Sequence, residues 1–243
     1  MTKKLDPRLN LAATTQSTFT TALTLAHSLR ARGVKRTLLF AGLGFGLPIT
    51  FEYIGINLLK VVRHHTQPQF KGVPLFAALG WYNIGYATYA MLESVIVSPD
   101  QKNIKLLPLG TALVATSFDL LADCYGLDQG LWEWNAAGLY AAEISGPNGI
   151  QGIPIGNFGG WLVLTGGVSW LYQRFSDGSE LNPAKPNAAG SLQAGRNAAL
   201  LLLPSYLMSA GWALASGKFK YLLYSILFPL ILFLALLGRK RTS

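Results

Sequence analysis

The sequence predicts an all-α fold, a polytopic transmembrane helical bundle of about six spanning helices, and three observations carry that expectation. Hydrophobic residues make up 51% of the 243 residues and charged residues only 13%, about half the roughly 25% typical of a soluble domain. Apolar windows long enough for the ~30 Å hydrocarbon core, which needs about 20 helical residues, recur along the chain. The basic residues behind the net charge of +9 gather at the ends of these windows. They therefore read as topology determinants and anionic headgroup contacts, not as a nucleic-acid surface.

Residues 1–36 hold Lys3, Lys4, Arg8, Arg30, Arg32, Lys35 and Arg36 around a Thr-rich middle. That middle is too polar to span comfortably, so a cytoplasmic basic tail or surface helix is expected, with no cleavable signal peptide. The first span lies near 37–58. Gly42 and Gly46 have the spacing that lets helices approach closely, Pro48 favours a kink, and Glu52 interrupts the apolar run. In the following loop, His64 and His65 do not share a face and have no third ligand nearby, so no metal site is expected.

The second span, near 73–97, carries Trp81, Tyr82, Asn83, Tyr86 and Tyr89, with Glu93 placed to snorkel to the headgroups. The third, near 104–125, carries Asp119 and Asp123, four residues apart and so on one helix face. A loop rich in Gly and Trp follows, with Trp132, Glu133 and Trp134 and no Lys or Arg; it is expected to fold back as a re-entrant or interfacial cover. The fourth span, near 153–175, opens with Pro154 and places Asn157 and Trp161 one turn apart.

A polar loop with Pro183 and Pro186 leads to two last spans, near 196–216 and 219–237, and a basic tail over 238–243. The last span is nearly all Leu, Ile, Phe and Tyr, which suits lipid or a membrane-protein partner. The single cysteine, Cys124, excludes an internal disulfide. The excess of Lys and Arg in alternate loops predicts both termini in the cytoplasm. That topology brings Glu52, Trp81, the aspartate pair, Asn157 and Trp161 to one depth.

An ionisable group at mid-bilayer costs at least about 2.5–3.5 kcal/mol, so these carboxylates must face protein, water or ligand. In a dry, aromatic-walled pocket they form an acid/base device. A carboxylic acid kept neutral can protonate a poor base such as an alkene while a partner stays ionised. Trp and Tyr faces stabilise the resulting carbocation, and a carboxylate-held water quenches it. The alternatives are aspartates solvated at a helix end, a proton-coupled transporter, or a retinal-type receptor. An inverted repeat for the transporter and a mid-span lysine late in the chain for the receptor are both missing.

At these residues the chain resembles the CruF-type carotenoid hydratases, a family of carotenoid biosynthesis membrane proteins. The resemblance rests on EYIG at Glu52, KGVPL leading into Trp81, DLLAD, GLWEW and GIPIGNFGGW. It implies cofactor-independent addition of water across the terminal C1=C2 double bond of an acyclic carotenoid end group, with a lipophilic polyene substrate and no metal. On that reading Asp119, Asp123 and Glu52 are catalytic, and Trp81, Trp132, Trp134, Asn157 and Trp161 bind substrate or water. Three departures stand out: Cys124 where the family carries proline, NLLKVVRHHTQPQF in place of a Gly- and Tyr-rich stretch, and the insertion AAEISGPNG over the site. They keep open a non-catalytic, carotenoid-binding or structural subunit of a membrane complex.

Overall fold

The first helix, α1 (Pro7–Tyr53), starts with Pro7 and is capped by Asp6, whose carboxylate accepts the backbone N–H of Arg8 at 2.8 Å. This computed structural model describes residues 5–97, 103–176 and 188–237. α1 changes direction at Gly33, whose φ of 76° favours glycine. The half before that break differs from the expected tail or surface helix, because it packs into the bundle with its polar face inward. Thr20, Thr21, Thr24 and Ser28 are buried, while Leu11 and Phe19 are 68% and 65% exposed. Ser28 bonds Thr37 beyond the break at 2.9 Å, Thr21 bonds the Ser17 carbonyl of its own helix, and the apolar residues are left for the outside. Gln16 donates to Ser205 at 3.0 Å, and His27 bonds the Tyr86 hydroxyl at 2.9 Å and the Ala194 carbonyl at 3.0 Å.

In the second half of α1 the close approach falls at Gly44. A Cβ there would stand 3.2 Å from the Tyr82 ring, whereas Gly42 and Gly46 face open space, contrary to the expected pair. The helix widens over Ile54–Leu58, where the Leu59 N–H reaches back to the Ile54 carbonyl.

Four more long helices complete the bundle: α2 (Leu75–Ile96), α3 (Leu107–Gln129), α4 (Ile155–Ser176) and α5 (Ala188–Ala215). α1 packs chiefly on α2, α2 on α5, and α3 on α4. Their common core is aromatic. Tyr86, Tyr89 and Tyr172 meet Phe40 edge-on, with ring centroids 5.3, 5.7 and 4.9 Å away. Beside them the Arg32 guanidinium lies over the Tyr89 ring at 5.0 Å and pairs with Glu93 at 2.8 Å. Glu93, expected to snorkel to the headgroups, thus holds an ion pair with a buried arginine while its own side chain stays 35% exposed. A desolvated arginine needs a counter-charge more than a carboxylate needs the headgroups.

The expected last span is split into α6 (Phe219–Tyr224) and α7 (Leu227–Leu237). Pro229 accounts for the split: it lacks an N–H, and its ring excludes the carbonyl of Ser225, where the helix stops. At 11 residues, α7 is about 16 Å long, short of a membrane crossing by itself. Among the described residues, three stretches are long and apolar enough to cross a membrane: Pro7–Leu58, Ile104–Gln129 and Gln193–Ala215. Leu38, Leu109, Val163, Leu207 and Phe233 are exposed on the helices' outer faces, a surface suited to lipid. Most of the polar loop before α5 and the C-terminal basic tail lie outside the described residues.

One end of the bundle is covered by three two-stranded antiparallel ribbons, where a re-entrant or interfacial loop was expected. β1 (Val62–His64) pairs with β4 (Trp132–Trp134), β2 (Gln69–Phe70) with β3 (Val73–Pro74), and β5 (Tyr140–Ser145) with β6 (Gln151–Ile153). Non-helical backbone must satisfy its N–H and C=O groups, and here the loops satisfy each other. The inserted AAEISGPNG forms most of the β5–β6 hairpin; it reaches α6 through Glu143 and β4 through Asn148, whose Nδ2 donates to the Trp134 carbonyl at 2.8 Å. Glu143 there accepts from Tyr221 and pairs with Lys220 at 2.7 Å. Burial pushes the Glu143 carboxyl up, but hydrogen bonds from Lys220 and Tyr221 outweigh it and hold it at about 2, below its usual 4.5. The contribution is therefore complete above pH 4.5 and lost as pH falls toward 2. It is small, because both side chains are half exposed. Glu143→Gln should lower the thermal midpoint slightly at pH 7 and leave it unchanged near pH 2, as a pH series of unfolding scans would read.

Candidate active site

Under the ribbon cap, α1 to α5 enclose a cavity of about 460 Å³, within the roughly 300–1,000 Å³ range of small-molecule pockets. Its wall includes all eight residues singled out above: Glu52, Trp81, Asp119, Asp123, Trp132, Trp134, Asn157 and Trp161. Among the described residues, no Lys or Arg lines it.

The carboxylate pair sits on α3, which runs unbroken past Cys124 to Gln129 and stops at Gly130 in the left-handed conformation. The aspartates are therefore not at a solvated helix end. Asp119 and Asp123 are 5% and 3% exposed. Asn157, in the first turn of α4, donates from its single Nδ2 to Asp119 Oδ2 at 3.0 Å and to Asp123 Oδ2 at 2.8 Å. One amide nitrogen thus ties both carboxyl groups together and supplies no charge. Among the described residues, neither aspartate forms an ion pair with Lys, Arg or His.

One turn after Asn157, Trp161 stacks on Trp81 of α2, with ring centroids 3.7 Å apart and planes at 22°. The Trp81 indole N–H donates to Glu52 Oε1 at 2.9 Å, so α1, α2 and α4 are pinned to one another at the cavity wall. The other Glu52 oxygen lies 3.2 Å from His64 Nε2. His64 and His65 part company: His64 meets Glu52, and His65 meets Glu133 at 3.2 Å. The β1–β4 register sets Val62 opposite Trp134 and His64 opposite Trp132. Side chains alternate along a strand, so these four share the cavity face while Arg63 and Glu133 pair on the other, 3.9 Å apart.

Trp132 is held by what lies behind it. A Cβ on Gly126 would overlap its six-membered ring. Gly126→Ala should therefore push Trp132 off its seat, which a change in tryptophan fluorescence would read, with helicity by circular dichroism unchanged.

Gln16, Ser17 and Thr20 of α1 and Ser205, Met208 and Ser209 of α5 also line the cavity. Sequence reasoning missed them. The signal was present in the spacing of Gln16, Ser17, Thr20, Thr21 and Thr24, a polar stripe at helical period.

Outward apolar helices around a buried aspartate pair and an aromatic cavity define a membrane-type helical bundle with an internal site for a lipophilic molecule. The chain belongs to the carotenoid biosynthesis protein family, whose description matches residues 13–232. No curated protein and no solved structure matches it. Membership implies a biosynthetic role and a carotenoid-related, lipophilic substrate.

Proposed function

We propose that the protein hydrates the terminal C1=C2 double bond of an acyclic carotenoid end group without a cofactor. The observation that carries this reading is the Asn157 amide bonded to both Asp119 and Asp123 in a cavity walled by indoles. Two carboxyl groups sharing one uncharged donor are suited to holding a proton between them. The protonated member gives that proton to C2, and a tertiary cation forms at C1. The stacked Trp81 and Trp161, with Trp132 and Trp134, offer π faces to that cation. Water then adds at C1, and its released proton restores the acid. The apolar wall suits the polyene.

The test is expression in cells that make lycopene or γ-carotene, followed by chromatography and mass analysis of the extracted pigments. A product heavier by one water, with a 1-hydroxy end, is expected. Unchanged pigment beside well-inserted protein would reject the hydratase and point to a carotenoid-holding subunit.

A further inference from the structure

The geometry points to His64, oriented by Glu52, as the general base that takes the proton from the attacking water, an assignment that rests on the hydration reading above. His64 belongs to the stretch that departs from the resembled family, and it entered the sequence reading only as half of a rejected metal pair.

Glu52 is clamped from two sides, by the Trp81 indole N–H at 2.9 Å and by His64 Nε2 at 3.2 Å. The Glu52 and His64 side chains are only 13% and 7% exposed. A carboxylate facing Nε2 fixes the tautomer with the proton on Nε2, which leaves a lone pair on Nδ1. That Nδ1 is buried and has no hydrogen-bond partner among the described residues. Leaving such a group unbonded is costly, and a water molecule in the adjoining cavity would remove that cost. Trp132, directly across the β1–β4 ribbon, holds the imidazole in place with ring centroids 5.9 Å apart.

The division of labour follows from charge and balance. The aspartate pair must give a proton to C2, so a separate group is better placed to receive one. As the water oxygen bonds to C1, one of its O–H bonds breaks and that proton passes to Nδ1. The imidazolium formed lies against the Glu52 carboxylate, which stabilises it as the acidic partner of a catalytic histidine does. Its proton then returns through water to the aspartate pair. The net change is one water added and no redox. Glu52 is here a positioning residue, and His64 touches the reacting water.

His64→Gln keeps a donor for Glu52 but cannot accept the proton. It should lower kcat about 100-fold or more with KM nearly unchanged, within the range for losing a general base. The other titratable groups facing the site are Glu52 from α1 and Asp119, Asp123 and Tyr125 from α3. A second readout is independent of turnover. In ¹⁵N-histidine spectra of the full-length protein, the His64 signal, assigned by its loss in His64→Gln, should show protonated Nε2 and bare Nδ1. Glu52→Gln should abolish that preference. Full turnover by His64→Gln, or a proton on Nδ1, overturns the assignment while leaving an active hydratase. If wild-type protein hydrates no acyclic polyene, the hydration reading fails, and the base role fails with it even if the tautomer is as expected.

Discussion

Asp119→Asn and Asp123→Asn should each lower hydration about 100- to 10,000-fold, the usual span for losing a general acid. Asparagine matches aspartate in shape, so the cavity keeps its volume and Asn157 keeps a carbonyl oxygen to bond. What disappears is the proton that the pair can release. Folding should not suffer. Two carboxyl groups tied to one uncharged amide repel each other when ionised, and replacing one removes that repulsion. The thermal midpoint of either variant should equal or exceed that of the wild type, a separation of stability from activity common at active sites. The check is pigment conversion together with unfolding scans on the same preparations. Full activity in both variants would remove the aspartates from the mechanism.

The largest effect on stability should come from Glu93→Ala. It leaves the Arg32 guanidinium, 8% exposed at the side chain, without its counter-ion inside the aromatic core. Breaking a buried pair from one side costs about 3–5 kcal/mol. The lower figure applies here, because the Glu93 side chain keeps 35% of its exposure and water reaches the gap. Replacing both residues, as in Arg32→Met with Glu93→Ala, should recover much of the loss, because no uncompensated charge remains. Thermal unfolding in detergent, followed by helicity, would measure both variants, and the double-variant cycle would isolate the pair. Equal destabilisation by the single and double variants would mean that the pair does not hold the core together.

The positions of the eight site residues were legible because charge and indole are costly in an apolar run, and that cost is visible in one dimension. Glu52, Asp119 and Asp123 each interrupt a hydrophobic window, and Asn157 and Trp161 announce a shared face by spacing alone. All of them line one cavity. The fold class was legible for the same reason. Hydropathy could not show that the Thr-rich start of α1 turns its polar side inward, since that depends on α2 and α5 being there to receive it. Nor could it register β1 against β4, a pairing that joins His64 to Trp132 across the whole of α2 and α3. The split at Ser225 needed Pro229 to be weighed above an otherwise uniform apolar run. His64 was read beside His65 because they are neighbours in sequence, although its partner is Glu52.

The inward polar face of α1 also governs the order in which the molecule can be completed. Gln16 bonds Ser205, 189 residues later, and His27 bonds the carbonyl of Ala194, 167 residues later. The earliest-made helix is therefore latched by one of the last. Until α5 has left the ribosome, Gln16, Ser17 and Thr20 have nothing opposite them, and the cavity they help enclose is open along one side. A chain that stops between α4 and α5 carries the whole carboxylate cluster and still lacks one wall of the cavity.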